Sequence, residues 1–241
     1  MDEICERYAS VMRHIEDAAR ASGRKPAAVR LVAVSKFHPP AALARLADCG
    51  QRDFGESRAQ EGSTKIATLS DPALEWHFLG PLQRNKARLI AGRFHWLHSL
   101  ESLETADALS RHLATSNARL RVLIEVNVTA DPRKHGVAPT DLLPFLEAYS
   151  AHPRIGLDLV GLMTIAPHGG SESVVRKAFA HLRELACVSR QAFGLPGFDE
   201  LSMGMSDDYH WAIAEGATLV RVGRALFGER TTTPATEAQA P

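Results

Sequence analysis

Apolar positions along this chain follow two alternating rhythms. Ile4, Tyr8, Val11, Met12, Ile15 and Ala19 recur at helical spacing, and Gly23 can stop that helix. Residues 31–36, Leu-Val-Ala-Val-Ser-Lys, form a short run of small and β-branched side chains, which the prolines at 39 and 40 cut off. Pro39 to Ala47 then reads as a helix that Cys49-Gly50 ends, followed by a very short strand at 53–55 and a polar helix from Glu56 to about Thr68.

The alternation continues with strands at 76–79 and 94–98 and helices at 83–91 and 100–115. Further on come strands at 121–128, 157–163, 200–203 and 218–222, with helices at 142–149, 172–192, 208–215 and 224–227. Eight strands, each followed by a helix and preceded by one extra N-terminal helix, predict an α/β fold: a single (βα)8 TIM barrel. Nothing inside residues 3–230 marks a linker, so residues 1–230 read as one domain. The tail at 231–241 has no apolar period and is expected to be disordered.

At 241 residues the chain has the usual size of such a barrel. Lys+Arg and Asp+Glu are both 28, so there is no electrostatic platform for nucleic acid or an anionic membrane. The three cysteines, Cys5, Cys49 and Cys187, are widely spaced without a Cys-x-x-Cys, which suggests reduced thiols. The acidic start, Met-Asp-Glu-Ile, lacks the features of a secretory signal, and the expected location is cytoplasmic.

Candidate chemistry gathers at strand ends. Strand alternation puts Val32, Val34 and Lys36 on one face, so an amine ends a row of valines. That lysine is either a snorkelling surface residue or a reactive one. After strand 7 comes Ser202-Met-Gly-Met-Ser206-Asp-Asp208, and after strand 8 comes Arg221-Val-Gly223-Arg224. Glycines and hydroxyls opening helices at the last two strands of a barrel can cradle a phosphate, although Ser206 and Asp208 could equally cap a helix. Arg221 shares the inward face with Leu219 and Gly223 and needs either a ligand acceptor or a salt bridge to Asp53, Glu56 or Glu125.

Several of these stretches are carried by one known family. Val34-Ser-Lys36, Phe54-Gly-Glu56, Trp76-His-Phe-Leu-Gly-Pro-Leu-Gln83, Gly161-Leu-Met-Thr-Ile165, Ser202-Met-Gly-Met-Ser206 and Arg221-Val-Gly223 resemble the pyridoxal phosphate homeostasis proteins, single-domain barrels similar to the N-terminal domain of alanine racemases (fold type III). The resemblance implies that Lys36 forms a Schiff base with pyridoxal 5′-phosphate (PLP). It also implies that Ser202, Ser206 and the amides at Gly223 and Arg224 hold the phosphate, and that Arg221 faces the pyridine nitrogen. Ser57, His77, Met163 and Gly204 complete the expected cofactor-binding set. The chain departs from the family at Ser57, where asparagine is usual, and at His135, where serine is usual.

No metal-ligand spacing, dinucleotide loop or acyl-transfer serine motif occurs. Three readings remain: a carrier or buffer of PLP, a PLP-dependent racemase, and an interaction module without ligand. Racemisation needs acid/base groups on both faces of a carbon. In the alanine racemases one is a tyrosine from a second, β-rich domain, whereas Tyr8, Tyr149 and Tyr209 here all fall on predicted helices. The expectation is therefore a non-enzymatic PLP carrier, acting as a monomer, with PLP-dependent apo-enzymes as its partners.

Overall fold

The β-prone runs pair side by side in chain order: β1 (Arg30–Val34), β2 (Asp53–Glu56), β3 (Glu75–Phe78), β4 (Trp96–Leu100), β5 (Leu120–Glu125), β6 (Leu157–Met163), β7 (Glu200–Ser202) and β8 (Leu219–Val222). All pairings are parallel, and β8 closes on β1 from Arg30↔Leu219 to Ala33↔Val222, giving the expected eight-stranded barrel. The structure, a computed structural model, describes residues 2–129, 131 and 133–228. The expected disordered tail at 231–241 lies outside the described residues.

Helices α1 (Glu3–Ala21), α2 (Pro40–Asp48), α3 (Ala59–Leu69), α4 (Ala87–Ile90), α5 (Leu103–Ser116), α6 (Leu142–Ser150), α7 (Glu172–Phe193), α8 (Tyr209–Ala214) and α9 (Arg224–Phe227) surround the sheet. Strands of a closed parallel sheet are buried on both faces, so the chain needs two apolar layers. Outward-facing Leu31, Ala33, Phe54, Phe78, Leu97, Val122 and Val220 join helix residues such as Val11, Leu43 and Leu109 in one continuous core. Inward-facing Val32, Trp96, Leu123, Met163 and Leu219 form a second, smaller cluster that plugs the barrel.

Side chains, which periodicity ignores, explain where boundaries moved. Phe94 and His95 do not join β4, because the His95 imidazole Nδ1 takes the Trp76 amide at 2.9 Å and starts the pairing itself. Glu56 ends β2 and does not open α3, because its carboxyl is buried among partners from two other segments. Beyond Glu125 the regular ladder ends: the Val126 amide still bonds to the Met163 carbonyl at 2.8 Å, Val126 forms an isolated bridge with Val137, and the Asn127 side chain donates to the Asp131 carbonyl at 2.8 Å.

The expectation of three free thiols is corrected. Cys5 on α1 and Cys49, which caps the C-terminus of α2, form a disulfide with Cα atoms 5.5 Å apart, and only Cys187 is free. Packing of α1 against α2, with Asp2 receiving Arg45 Nε at 2.8 Å, brings the two sulfurs together. The bond closes a separation of 44 residues. A cross-link of this span stabilises mainly by restricting the unfolded chain, by roughly 2–4 kcal/mol. Reduction should therefore lower the urea midpoint of the native protein while leaving a Cys5→Ser/Cys49→Ser variant unaffected. Identical midpoints with and without reductant would show that the cross-link contributes nothing.

Candidate functional site

β1 ends at Val34, and the next three residues make a tight, heavily held turn. Ser35 is buried, Lys36 is half-buried and Phe37 is exposed with φ at 71°. A left-handed conformation costs a bulky L-residue about 1–2 kcal/mol, so something must hold it. Glu61 Oε1 accepts the Phe37 amide at 2.7 Å, and the Arg58 guanidinium lies 4.7 Å from the Phe37 ring centre. On the other side of Lys36, the Ser35 carbonyl accepts from Lys65 Nζ at 2.8 Å, and the Ser35 hydroxyl donates to Glu56 Oε1 at 2.7 Å. Lys65 also donates to Glu56 and Glu61, both at 2.7 Å, so its three N–H groups are all used. Burial pushes the Glu56 carboxyl up, against the Lys65 ammonium and Ser35 hydroxyl that favour its ionised form. A buried ion cluster thus grips the backbone on both sides of Lys36.

The Lys36 side chain lines a cavity of about 280 Å³ at the C-terminal end of the barrel. His38, Ser206, Arg221, Gly223 and Arg224 share it. His38 is fixed by stacking on Phe227 of α9, with ring centres 4.4 Å apart. The loop after β7 turns at Gly204, whose φ is 90°; a Cβ there would lie 2.6 Å from that of Ala212. Asp208 accepts the Met205 amide at 2.6 Å and so organises the turn into α8. The Ser206 hydroxyl has no protein hydrogen-bond partner among the described residues and sits on the cavity wall.

Arg221 is buried beneath this cavity, and none of the salt bridges considered as the alternative to a ligand, to Asp53, Glu56 or Glu125, holds it. Its NH1 donates to Ser202 Oγ at 2.7 Å and its NH2 to the Thr164 carbonyl at 2.9 Å, both neutral acceptors. Burial lowers its pKa to about 10, opposed by the more distant charges of Glu125 and Asp208. Glu125 lines a neighbouring cavity with Lys134 and His135, and burial, helped by the Glu101 charge, raises its carboxyl to about 7. His135, the second departure from the family pattern, lies at the surface with Nδ1 3.3 Å from Glu101.

Below Arg221 a line of buried polar side chains crosses the barrel. Ser202 Oγ is 2.8 Å from His98 Nδ1, His98 Nε2 is 2.9 Å from His77 Nδ1, and His77 Nε2 is 3.0 Å from Asp53 Oδ1. Both imidazoles are fully buried and held toward the neutral form: desolvation lowers His77, and desolvation together with the His77 and Arg221 charges lowers His98 well below its ordinary value.

Of the sequence-derived set, Lys36, Ser206, Arg221, Gly223 and Arg224 therefore meet on one cavity. Gly204 shapes its rim, whereas Ser202, His77 and Met163 are buried in the barrel interior and do not line it. Ser202, expected to join Ser206 in one phosphate cup, has its hydroxyl engaged by His98 and Arg221. Ser57 lines a separate cavity with Arg58 and Lys86. Sequence reasoning missed Lys65, Glu61 and His98. The i, i+4 spacing of Glu61 and Lys65 was the only local signal, and it is common on exposed helices.

Residues 9–231 match the family model for the alanine racemase N-terminal domain. The pyridoxal phosphate homeostasis protein of Pseudomonas aeruginosa is 46% identical over 230 residues, covering 95% of this chain and 97% of that protein. Its namesake in Escherichia coli K12 is 40% identical over 95% of this chain and 98% of its own length. PipY of Synechococcus elongatus, solved with PLP bound, aligns with a TM-score of 0.82 at 39% identity, covering 94% of this chain and 100% of that one. Alanine racemase from Corynebacterium glutamicum shares the fold, with a TM-score of 0.69 at 16% identity over 97% of this chain and 65% of the racemase.

Proposed function

The chain belongs to the family of pyridoxal phosphate homeostasis proteins, and on that premise we propose that it is a cytoplasmic, non-catalytic carrier that binds PLP at Lys36 and passes it to apo-enzymes. One observation carries the reading: a half-buried lysine and a buried arginine with only neutral partners face the same small cavity. The residues present fit the group. When bound, PLP supplies an aldehyde that condenses with a primary amine, a pyridine nitrogen and a phosphate. Lys36 provides the amine, held in place by its clamped backbone. The Ser206 hydroxyl and the first amides of α9, at Gly223 and Arg224, provide donors for the phosphate. Arg221 provides a donor for the ring nitrogen that stays protonated at neutral pH even with its pKa lowered to about 10.

That last choice favours carriage over chemistry. A guanidinium opposite the ring nitrogen does not hand it a proton, so carbanion stabilisation is weak. Tyr8, Tyr149 and Tyr209 all lie on helices, as expected. Incubating the loaded protein with L-amino acids in deuterated water should give neither Cα exchange nor D-enantiomer, while the cofactor moves to a PLP-dependent apo-enzyme. Turnover that disappears in Lys36→Ala would establish a racemase instead.

Phosphate recognition gives a further expectation. A hydrogen bond to a charged group is worth about 1.5–3 kcal/mol, so Ser206→Ala should weaken PLP binding about tenfold or more. Pyridoxal, which lacks the phosphate, should bind poorly and be indifferent to the substitution. Equal affinity for pyridoxal and PLP in a titration would remove Ser206 and α9 from the phosphate site.

A further inference from the structure

The buried line from Asp53 to Arg221 has a direction, and its two ends decide it. A guanidinium only donates, and a carboxylate only accepts. At the lower end, Asp53 must therefore receive its hydrogen bond from His77 Nε2–H. A neutral His77 then has a bare Nδ1, which must accept from His98 Nε2–H. His98 Nδ1 is then bare in turn and must accept the Ser202 hydroxyl proton, leaving Ser202 lone pairs for Arg221. One arrangement of protons satisfies all four contacts: Arg221 to Ser202 to His98 to His77 to Asp53.

The surroundings preserve this order. His77 and His98 are fully buried, so charging either ring carries a large desolvation cost. Trp96 stacks on His77 with ring centres 5.2 Å apart, and the Arg30 and Arg121 guanidinium groups lie 5.1 and 4.9 Å from the Trp96 ring centre. Those two cations, Asp53, Glu75 and Glu200 line a cavity at the opposite end of the barrel from Lys36. Arg30 NH1 lies 3.6 Å from Asp53 Oδ1 there.

We infer that Asp53, His77, His98 and Ser202 are positioning residues for Arg221: they form a one-way hydrogen-bond chain that fixes the guanidinium under the Lys36 cavity from the far end of the barrel. This rests on the reading of that cavity as the PLP site. Without the Asp53 acceptor, the chain has a second solution. His77 can donate from Nδ1 to His98, His98 from Nδ1 to Ser202, and the Ser202 proton is released from the line. Arg221 then shares its acceptor with an imidazole N–H, and its placement loosens.

The chain and the cofactor reading are tested separately. Nitrogen-15 NMR of histidine-labelled protein without cofactor should show both buried rings neutral and protonated at Nε2 at neutral pH. Asp53→Ala should move both toward the Nδ1–H form, weaken PLP binding about tenfold and shift the absorption maximum of the bound cofactor. Asp53→Asn, which keeps an acceptor oxygen, should retain the Nε2–H forms and most of the affinity. Glu75→Gln, at the same end of the barrel but outside the line, should change neither readout. If Asp53→Ala does not fold, Ser202→Ala opens the line at its other end. It should leave His77 protonated at Nε2 while lowering PLP affinity to a similar degree. An imidazolium or an Nδ1–H ring in the native protein overturns the chain, as does Asp53→Ala or Ser202→Ala with unchanged PLP affinity and absorption. Failure of the native protein to bind PLP would instead overturn the cofactor reading, and the ring spectra alone would decide the chain.

Discussion

Borohydride treatment of the PLP-loaded protein is expected to fix the cofactor on Lys36, and Lys36→Ala is expected to retain none after the same treatment. Three other lysines near the barrel mouth are the natural competitors, and their surroundings separate them from Lys36. Lys65 is 4% exposed with all three N–H groups committed to Ser35, Glu56 and Glu61, so it has neither access nor a free lone pair. Lys134 Nζ is directed to the carbonyls of Ile165 and Ala166, at 3.3 and 3.2 Å, beside a different cavity. Lys86 lines the cavity of Ser57 and Arg58. Lys36 alone among them faces the cavity that also holds Arg221, Ser206 and the start of α9. Loss of the covalent bond should replace the absorption band of the lysine-bound cofactor with that of the free aldehyde, with only weak phosphate-anchored binding left. Peptide mapping that finds the reduced label on Lys86 or Lys134, with Lys36 unmodified, would contradict the assignment.

Local patterns were readable in this chain because local physics makes them. Strand alternation put Lys36 and Arg221 on inward faces, and both are there: Val32 and Leu219 of the same rows lie in the inner cluster, and Lys36 and Arg221 meet at one cavity. Turn chemistry likewise located the two loops that close that cavity. Contacts between residues distant in sequence were not readable. Nothing at position 49 says that its thiol faces Cys5 across two helices. Ser202 looks like a phosphate donor in its own loop, and only β4 and β8 supply the His98 and Arg221 that claim its hydroxyl. His77 looked like a ligand-facing residue because it belongs to a family-specific string, whereas Gly55 beside it in register and Trp96 stacked on it bury it in the barrel.

Lys65→Met should be among the most damaging single substitutions in the protein, although Lys65 touches neither the cavity nor the helix surface. The side chain answers the buried Glu56 carboxyl, the partly exposed Glu61 carboxyl and a backbone carbonyl. Removing one partner of a buried pair typically costs 3–5 kcal/mol, roughly, because the other charge stays in a low-dielectric site. Here the abandoned charge is Glu56, fully buried and with Oε2 already lacking any hydrogen-bond partner. Its folded-state pKa is raised above the ordinary 4.5 even with Lys65 present, and losing the ammonium must raise it further. A carboxyl with a raised folded-state pKa stabilises the fold while protonated, and that stability is lost as pH rises through the folded value. The deficit of Lys65→Met relative to the native protein should accordingly be small at acid pH and grow toward neutral and alkaline pH. Adding Glu56→Gln should recover much of the stability at high pH, since no buried charge is then stranded. It should not recover cofactor affinity, because the Ser35 carbonyl remains without its donor and the turn carrying Lys36 stays loose. Urea denaturation across the pH range, paired with PLP titration of both variants, separates the two effects. A deficit that is independent of pH, or a double variant that regains full affinity, would show that the cluster does not hold Lys36 in place.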